Sequence, residues 1–209
     1  MVIQWYGHAC FRIQGNSTDA TILIDPFDAS IGWKLPRLSA DLVLVSTDTK
    51  EHNAIETVKK GEDKEPFIVQ EAGEYEVRGV VVYGIPLSSS SRFFVIRVDE
   101  MTILHCGTLN RELTEAELDS IGRVDILILP VGGANVLDAK KANEIVSEIE
   151  PRIVIPMQYR LAGLKTVHES ADPFFKALGI KPLEPQDKYK ILKKDLPAGE
   201  MQLVVLQPA

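Results

Sequence analysis

The residues that could do chemistry are concentrated in one short segment, Val43–Asn53. An apolar strand is predicted over Leu42–Val45, and it ends in a loop in which two threonines flank an aspartate. Glu51 and His52 follow directly, so a carboxylate and an imidazole are adjacent in the chain. A polar loop at the end of a buried strand is where α/β proteins commonly place binding and catalytic groups. Glu51 and His52 could act there as a general base and a general acid.

Two other polar segments are weaker candidates. His8 follows Gly7 between two predicted strands, where a lone histidine is more often structural than functional. The serines of Ser88–Ser91 lack the Gly-x-Ser-x-Gly setting of a serine nucleophile, and a flexible connector explains them equally well.

The elements that must position these residues follow from the hydrophobic pattern. The predicted strands are Val2–Tyr6, Cys10–Gln14, Ala20–Ile24, Leu42–Val45, Phe67–Gln70, a pair within Glu74–Ile85, Arg92–Val98, Met101–His105, Asp125–Leu129, Arg152–Pro156, Tyr189–Leu192 and Met201–Leu206. The predicted helices are His52–Lys60, Thr114–Ile121, Asp138–Glu150 and His168–Leu178, with a charged loop at Gly61–Glu65. Strands dominate the first half, and strands alternate with helices in the second. This pattern predicts one α/β domain over residues 1–209, with two sheets and helices outside.

Composition excludes several classes of protein. The formal net charge is −7, and the lysine pairs along the chain have acidic neighbours, so no nucleic acid is expected as a partner. No apolar stretch approaches the roughly 20 residues of a membrane span, so no membrane partner is expected. The two cysteines, Cys10 and Cys106, are too few for a disulfide framework and are expected to be free and buried. We therefore expect a cytoplasmic protein.

Several segments together resemble the metallo-β-lactamase-fold hydrolases, in particular a short branch similar to ascorbate-6-phosphate lactonase. They occur in the family's order from Val2 to about Tyr159: WYGHACFRI, DPFDASIGWKLP, ADLVLVS, GEYEVRGV, YGIP, ILHCG, VDILILPVGG, DAKKA and IEPRIVIPMQY. The resemblance implies a four-layer αββα sandwich with a metal site at one edge of its two sheets. It also implies a lactone, a phosphoester or a similar hydrolysable ligand.

The resemblance further implies where metal ligands would lie, and most of those positions are changed. The His-x-His-x-Asp-His loop of the family reads Thr47-Asp48-Thr49-Lys50-Glu51-His52 here, which keeps only its last histidine. The other family positions hold neutral side chains: Ser88 or Ser89 after the GIP segment, Thr108 in place of a bridging aspartate, and Gln158 in place of a histidine.

Neutral hydroxyls and an amide are poor zinc ligands, and a catalytic zinc needs about three good ones. Asp48, Glu51 and His52 alone do not make a dinuclear centre. His8, Asp25, Asp48 and His105 are expected around the pocket rather than on a metal. His168 lies in a stretch that the resemblance does not align, and Cys106 would point away from His105 across the strand. The sequence therefore predicts no metal cofactor.

Two functional hypotheses follow. The first is a catalytically inactive member of the fold that binds a small ligand in a neutral polar pocket, forms a homo-oligomer or pairs with an intact relative. The vestigial pocket would be lined by Thr47, Thr49, Glu51, His52, Ser89, Thr108 and Gln158. The alternative is a working hydrolase that uses one atypical metal, or Glu51 and His52 without a metal. The sequence favours the first hypothesis over an enzyme.

Overall fold

A computed structural model describes residues 1–59 and 65–209, and in it the strands form two sheets packed face to face. The strands are β1 (Val2–Trp5), β2 (Phe11–Gln14), β3 (Thr21–Ile24), β4 (Leu42–Leu44), β5 (Phe67–Val69), β6 (Gly73–Val77), β7 (Val80–Pro86), β8 (Arg92–Val98), β9 (Met101–His105), β10 (Ile126–Pro130), β11 (Ile153–Met157), β12 (Tyr189–Lys190) and β13 (Gln202–Leu203). The helices are α1 (Glu115–Ile121), α2 (Ala139–Ile149) and α3 (Asp172–Leu178), with 3-10 turns at Ala29–Ile31, Ile55–Thr57 and Lys193–Asp195.

Both sheets are mixed. The first has the order β12-β1-β2-β3-β4-β5, and the second has the order β13-β11-β10-β9-β8-β7-β6. The pairs β1–β2 and β2–β3 are antiparallel, so the first three strands form a meander, whereas β3–β4 and β4–β5 are parallel. In the second sheet β6 to β9 are antiparallel, and β9, β10, β11 and β13 run parallel.

The core lies in three layers. Alternate side chains of the strands, such as Trp5, Phe11 and Ile128, fill the space between the sheets. The outer face of the second sheet buries Leu127 and its neighbours against residues of α2 and α3. The outer face of the first sheet is covered by loop and 3-10 residues that include Phe27. The predicted sandwich of two sheets with flanking helices is confirmed.

Local signals explain the helix starts that were predicted correctly. Thr114 and Glu117 form the reciprocal capping box at the start of α1. The Asp138 side chain accepts the backbone N–H of Lys141 at the start of α2.

Two predicted helices are shorter in the structure. Of the described part of the His52–Lys60 prediction, residues 52–59, only Ile55–Thr57 is helical, as a 3-10 turn, because the Ala54 N–H donates to the Pro26 carbonyl (2.8 Å) instead of continuing a helix. The last helix begins at Asp172 rather than His168. Pro173 explains the later start, since proline fits the first turn of a helix but disrupts its interior.

Other sequence predictions have simple outcomes. Cys10 and Cys106 are free and buried, as expected. Residues 1–59 and 65–209 include no helix with the length and apolar character needed to cross a membrane. The charged loop predicted at Gly61–Glu65 lies, apart from its last residue, outside the described residues.

Candidate metal centre

Loops that follow strand ends of both sheets bring polar side chains together at one edge of the sandwich. They contribute His8 after β1, Asp25 after β3, His52 after β4, Thr108 after β9 and Gln158 after β11. The Gln158 N–H donates to the His8 carbonyl (3.2 Å), so the loops of the two sheets touch at this edge.

His8, Glu51 and His52 form a cluster suited to a metal ion. One potential ligand atom from each residue lies within 4.8 Å of the other two. The Nε2 atoms of His8 and His52 are 3.2 Å apart. With Zn–N bonds of about 2.0–2.1 Å, two nitrogens on one tetrahedral zinc lie about 3.3 Å apart. The two imidazoles are buried and Glu51 is exposed, so the cluster opens to solvent on the carboxylate side.

Asp25 orients His52. Its fully buried carboxylate accepts the Nδ1–H of His52 (3.0 Å) and both the backbone N–H and the hydroxyl of Ser46 (2.6 Å each). Burial alone would raise the pKa of Asp25, but the His52 imidazole and these hydrogen bonds hold the pKa below its ordinary value. Because Nδ1 carries the proton, Nε2 presents its lone pair to His8. A carboxylate behind a histidine is the usual support of a metal-binding imidazole.

The turn that carries His8 is rigid. Gly7 has a φ of 94°, and a Cβ there would lie 2.8 Å from the Trp33 ring, so a larger residue does not fit. His8 itself has a φ of 51°, and its carbonyl accepts the indole N–H of Trp5 (3.0 Å). The backbone is in the left-handed conformation at Asp25 and Gln158 as well, with φ values of 48° and 50°. Such costly backbone conformations in non-glycine residues cluster at functional sites.

Several buried polar atoms at this edge have no hydrogen-bond partner among the described residues. They are Nδ1 of His8, Oε1 of Gln158 and both ring nitrogens of His168. The ring centres of His8 and His168 are 5.6 Å apart. Buried polar atoms without partners are rare in folded proteins and call for an explanation, such as a bound ion.

Burial favours the neutral form of the His8 and His168 imidazoles. Burial lowers the pKa of His8 well below its ordinary value, and the nearby rings of His52 and His168 lower it further. Burial, followed by the neighbouring His52, also lowers the pKa of His168. Metal ligation needs the neutral form of histidine, so the residues present fit a divalent cation.

The remaining residues of the predicted pocket lie around this cluster. Thr47 and Thr108 are joined through their hydroxyls (3.0 Å), and the Thr49 carbonyl accepts the N–H of His52 (2.8 Å). Asp48 accepts the side-chain amide of Asn53 (2.6 Å). With Ser89, these two residues line a separate polar cleft of about 170 Å³. The structure thus pairs the Thr47 and Thr108 hydroxyls with each other and places Ser89 in the cleft with Asp48.

Both ring nitrogens of His105 are already hydrogen-bonded to the backbone, so neither is free to bind a metal ion. Its Nε2–H donates to the Ala9 carbonyl (3.1 Å), and its Nδ1 accepts the N–H of Gly107 (3.3 Å). The ring is fully buried and bridges the two sheets.

Sequence reasoning placed His8 around the pocket rather than in a metal-type cluster, and it did not align His168. The structure brings both rings to this edge. The signal for the position of His8 was the Gly7-His8 pair, which favours a tight turn, and the signal for His168 was Pro173, which places the start of the helix after it.

A family model described as a β-lactamase superfamily domain matches residues 2–158. The chain belongs to this superfamily. It is 29% identical over 208 residues to a UPF0173 metal-dependent hydrolase of Thermoplasma acidophilum, a match that covers 84% of this chain and 89% of the relative. A UPF0173 metal-dependent hydrolase of Thermococcus onnurineus is 29% identical over 190 residues, and this match covers 75% of this chain and 84% of the relative.

Solved structures agree on the fold. A Thermotoga maritima protein described as a candidate Zn-dependent hydrolase of the metallo-β-lactamase superfamily superposes with a TM-score of 0.82 at 29% identity. The match covers 98% of this chain and 97% of that protein.

These findings correct two sequence predictions. The prediction of an inactive, metal-free member of the fold is wrong, and so is the prediction that no metal cofactor is bound. The similar proteins are named metal-dependent hydrolases, and His8, Glu51 and His52 form a metal-binding type of cluster. The error was to count only the positions of the ancestral motif, whereas the tertiary structure supplies a ligand from another loop.

Proposed function

We propose that the protein is a hydrolase that uses one divalent metal ion held by His8, Glu51 and His52. The observation that carries the proposal is the 3.2 Å approach of the two Nε2 atoms, with a carboxylate of Glu51 in the same cluster. Two imidazoles and one carboxylate form a ligand set that occurs in catalytic zinc sites.

A divalent ion at such a site supplies Lewis-acid polarisation of a substrate oxygen and activation of water at neutral pH. The residues of the chain do the rest. Asp25 keeps the proton of His52 on Nδ1, so that Nε2 stays available as a ligand. Buried His8 and His52 close the inner side of the site, whereas exposed Glu51 marks the side from which substrate and water arrive.

The substrate that we propose is a small lactone or phosphoester. The resemblance of the sequence to the ascorbate-6-phosphate lactonase branch supports this class. The separate polar cleft that begins next to His52 in sequence, at Asn53, offers hydrogen-bond donors from Ser89, Ser90 and Arg92 for an oxygen-rich substrate, and its Asp48 and Glu71 carboxylates favour a neutral lactone over a phosphoester there.

The test combines metal content with hydrolysis. The protein is expressed with added zinc and manganese, purified without chelator or affinity tag, and assayed for bound metal by mass spectrometry. We expect one ion per chain and hydrolysis of at least one member of a panel of nitrophenyl phosphomonoesters, phosphodiesters and lactones. Chelation should abolish hydrolysis, and the added metal should restore it.

Glu51→Gln tests the carboxylate directly. We expect this variant to lose hydrolysis and to bind the ion about 10- to 100-fold more weakly. Glu56→Gln, a change of an exposed glutamate in the same segment, is the matched control and should behave like the wild type. Metal-stripped protein that still hydrolyses the panel would overturn the proposal in favour of metal-free chemistry by Glu51 and His52.

A further inference from the structure

We propose that His168 is a fourth protein ligand of the metal ion that the proposed function places on His8, Glu51 and His52. The inference rests on the proposed function, and it adds a ligand that lies outside residues 2–158, the part matched by the superfamily model. With four protein ligands, the ion would keep a position for water or substrate by becoming five-coordinate.

The His168 ring lies beside the proposed site. Its centre is 5.6 Å from the centre of the His8 ring, and the His8 and His52 rings are 4.8 Å apart. On a tetrahedral ion, Zn–N bonds of about 2.0–2.1 Å, with each ring centre about 1.1 Å behind its nitrogen, place two ring centres at most about 5.2 Å apart. The His8–His52 pair lies within that distance. The His8–His168 pair exceeds it slightly, and His168 is outside the group whose ligand atoms all lie within 4.8 Å of one another, so the His168 side chain must turn toward the ion when the ion binds.

The His168 side chain is buried although it makes no hydrogen bond with the described residues. It is 8% exposed, and neither ring nitrogen has a hydrogen-bond partner among the described residues. Leaving a buried donor or acceptor unpaired costs about 1–3 kcal/mol. The adjacent Val167 is 70% exposed, so the chain turns an imidazole inward and an apolar side chain outward. A structural role would favour the opposite arrangement, whereas a metal ligand explains it.

The loop of residues 160–169, which we name the His168 loop, is fixed at several points. Its ends are joined by a hydrogen bond from the Arg160 N–H to the Glu169 carbonyl (2.8 Å). The Glu169 N–H donates to the Gly132 carbonyl (2.6 Å), and the Lys165 N–H donates to the Ile31 carbonyl (2.8 Å). The backbone on both sides of His168 is therefore anchored, which keeps the side chain next to the site.

Gly132 makes room for this loop. A Cβ on Gly132 would lie 2.0 Å from the Gln158 carbonyl oxygen and 2.8 Å from the Cβ of His168. Only glycine lets the loop after β10, the end of β11 and the His168 loop approach so closely. The same contact brings His168 beside Gln158, whose Oε1 is also buried and unpaired among the described residues.

The experiment replaces His168 by Gln and by Cys and uses cobalt as the probe. Metal-free protein is titrated with Co²⁺ while the visible absorption and the dissociation constant are recorded. We expect His168→Gln to weaken Co²⁺ binding on the order of 100-fold and to change the ligand-field bands. His168→Cys should restore binding and add a thiolate-to-cobalt charge-transfer band in the near ultraviolet. Wild-type protein provides the baseline because both of its own thiols are buried and burial raises the pKa of each.

Glu169→Gln changes the exposed neighbour in the same loop and should leave the cobalt spectrum and affinity unchanged. The inference is overturned if His168→Gln binds Co²⁺ with wild-type affinity and spectrum, or if His168→Cys binds Co²⁺ without the charge-transfer band. Either result would leave the proposed function standing, provided that the wild type binds one ion. A wild type that binds no Co²⁺ would instead refute both.

Discussion

His52 and His105 are both buried histidines at strand ends of the same edge, yet their surroundings differ. His105 belongs to the second sheet, and both of its nitrogens are used by backbone groups of Ala9 and Gly107. His52 follows the first sheet, and Asp25 uses one nitrogen while the other faces His8. His105 is thus fully hydrogen-bonded to the backbone, whereas Gln158, which follows another strand of the second sheet, keeps a buried Oε1 without a partner among the described residues.

This difference separates groups that hold the fold from groups that are available for chemistry. A polar group whose bonds are all made inside the protein stabilises the structure and has nothing left to offer a ligand. A buried group with an unused lone pair costs stability until something binds to it. Burial alone therefore does not distinguish a structural histidine from a candidate ligand. The partners do, because both His105 nitrogens are bonded to backbone groups, whereas the Nε2 of His52 meets another imidazole, that of His8.

The largest expected effect comes from exchanging each of these two histidines for glutamine. His52→Gln should lose stoichiometric metal, because it removes one of the two imidazoles that approach to 3.2 Å. His105→Gln should keep one ion per chain but unfold at a lower denaturant concentration, because it disrupts a buried bridge between the sheets. Metal counting after gel filtration and urea unfolding followed by circular dichroism measure the two effects.

The comparison would break if the two variants behaved in the opposite way. A folded His105→Gln protein without metal would mean that His105 acts at the site after all. A His52→Gln protein with a full complement of metal would remove the cluster from the chemistry.

A smaller effect is expected from Asp25→Asn, which keeps the shape of the side chain but removes its charge. The amide no longer fixes the proton of His52 on Nδ1, so a smaller fraction of the molecules has an unprotonated Nε2 that can bind the metal. We expect metal affinity to drop about 10- to 100-fold, as for other supporting carboxylates. Competition with a chelating dye measures the affinity, and the thermal midpoint of the metal-free protein reports how far the loss of the Ser46 hydrogen bonds weakens the fold. Unchanged affinity would show that Asp25 is only structural.

The smallest effect concerns Glu117, a saturated carboxylate on the outer side of the second sheet. Arg111 donates to both of its oxygens (2.9 and 2.7 Å), and this pairing lowers the pKa of Glu117 to about 2. The pKa of Glu117 is lower in the folded protein than in the unfolded chain, so ionised Glu117 stabilises the folded state. This stabilisation is fully present above the ordinary pKa of 4.5 and is lost as the pH falls toward about 2.

We therefore expect Glu117→Gln to destabilise the protein by about 1 kcal/mol at pH 7, a modest value because Arg111 is partly exposed. The difference from the wild type should shrink as the pH falls below 4.5, and metal content at pH 7 should not change. Urea unfolding across this pH range measures the effect. Glu115→Gln, an exposed change in the same helical turn, serves as the control, and a difference that stayed constant with pH would contradict the assignment.

Much of the fold was predictable because its signals are local. The apolar runs of β4 and β10, the capping box at Thr114 and the N-cap at Asp138 each specify an element through side chains a few residues apart. The two shortened helices show the limit of such signals. His52–Ala54 is held by hydrogen bonds to Asp25 and Pro26, which are distant in sequence, and the role of Pro173 depends on where the helix begins.

The sequence by itself determined the superfamily and the sandwich, because motifs in chain order carry that information, and it marked Glu51 and His52 as candidate site residues. It led to the wrong conclusion about the metal, since counting ligands along one motif cannot reveal a ligand from another loop. Only the tertiary structure decided that His8 lies 3.2 Å from His52 and that His105 is fully paired. Those facts depend on the packing of two sheets and on left-handed turns at their ends, which bring together residues separated by up to about 100 positions.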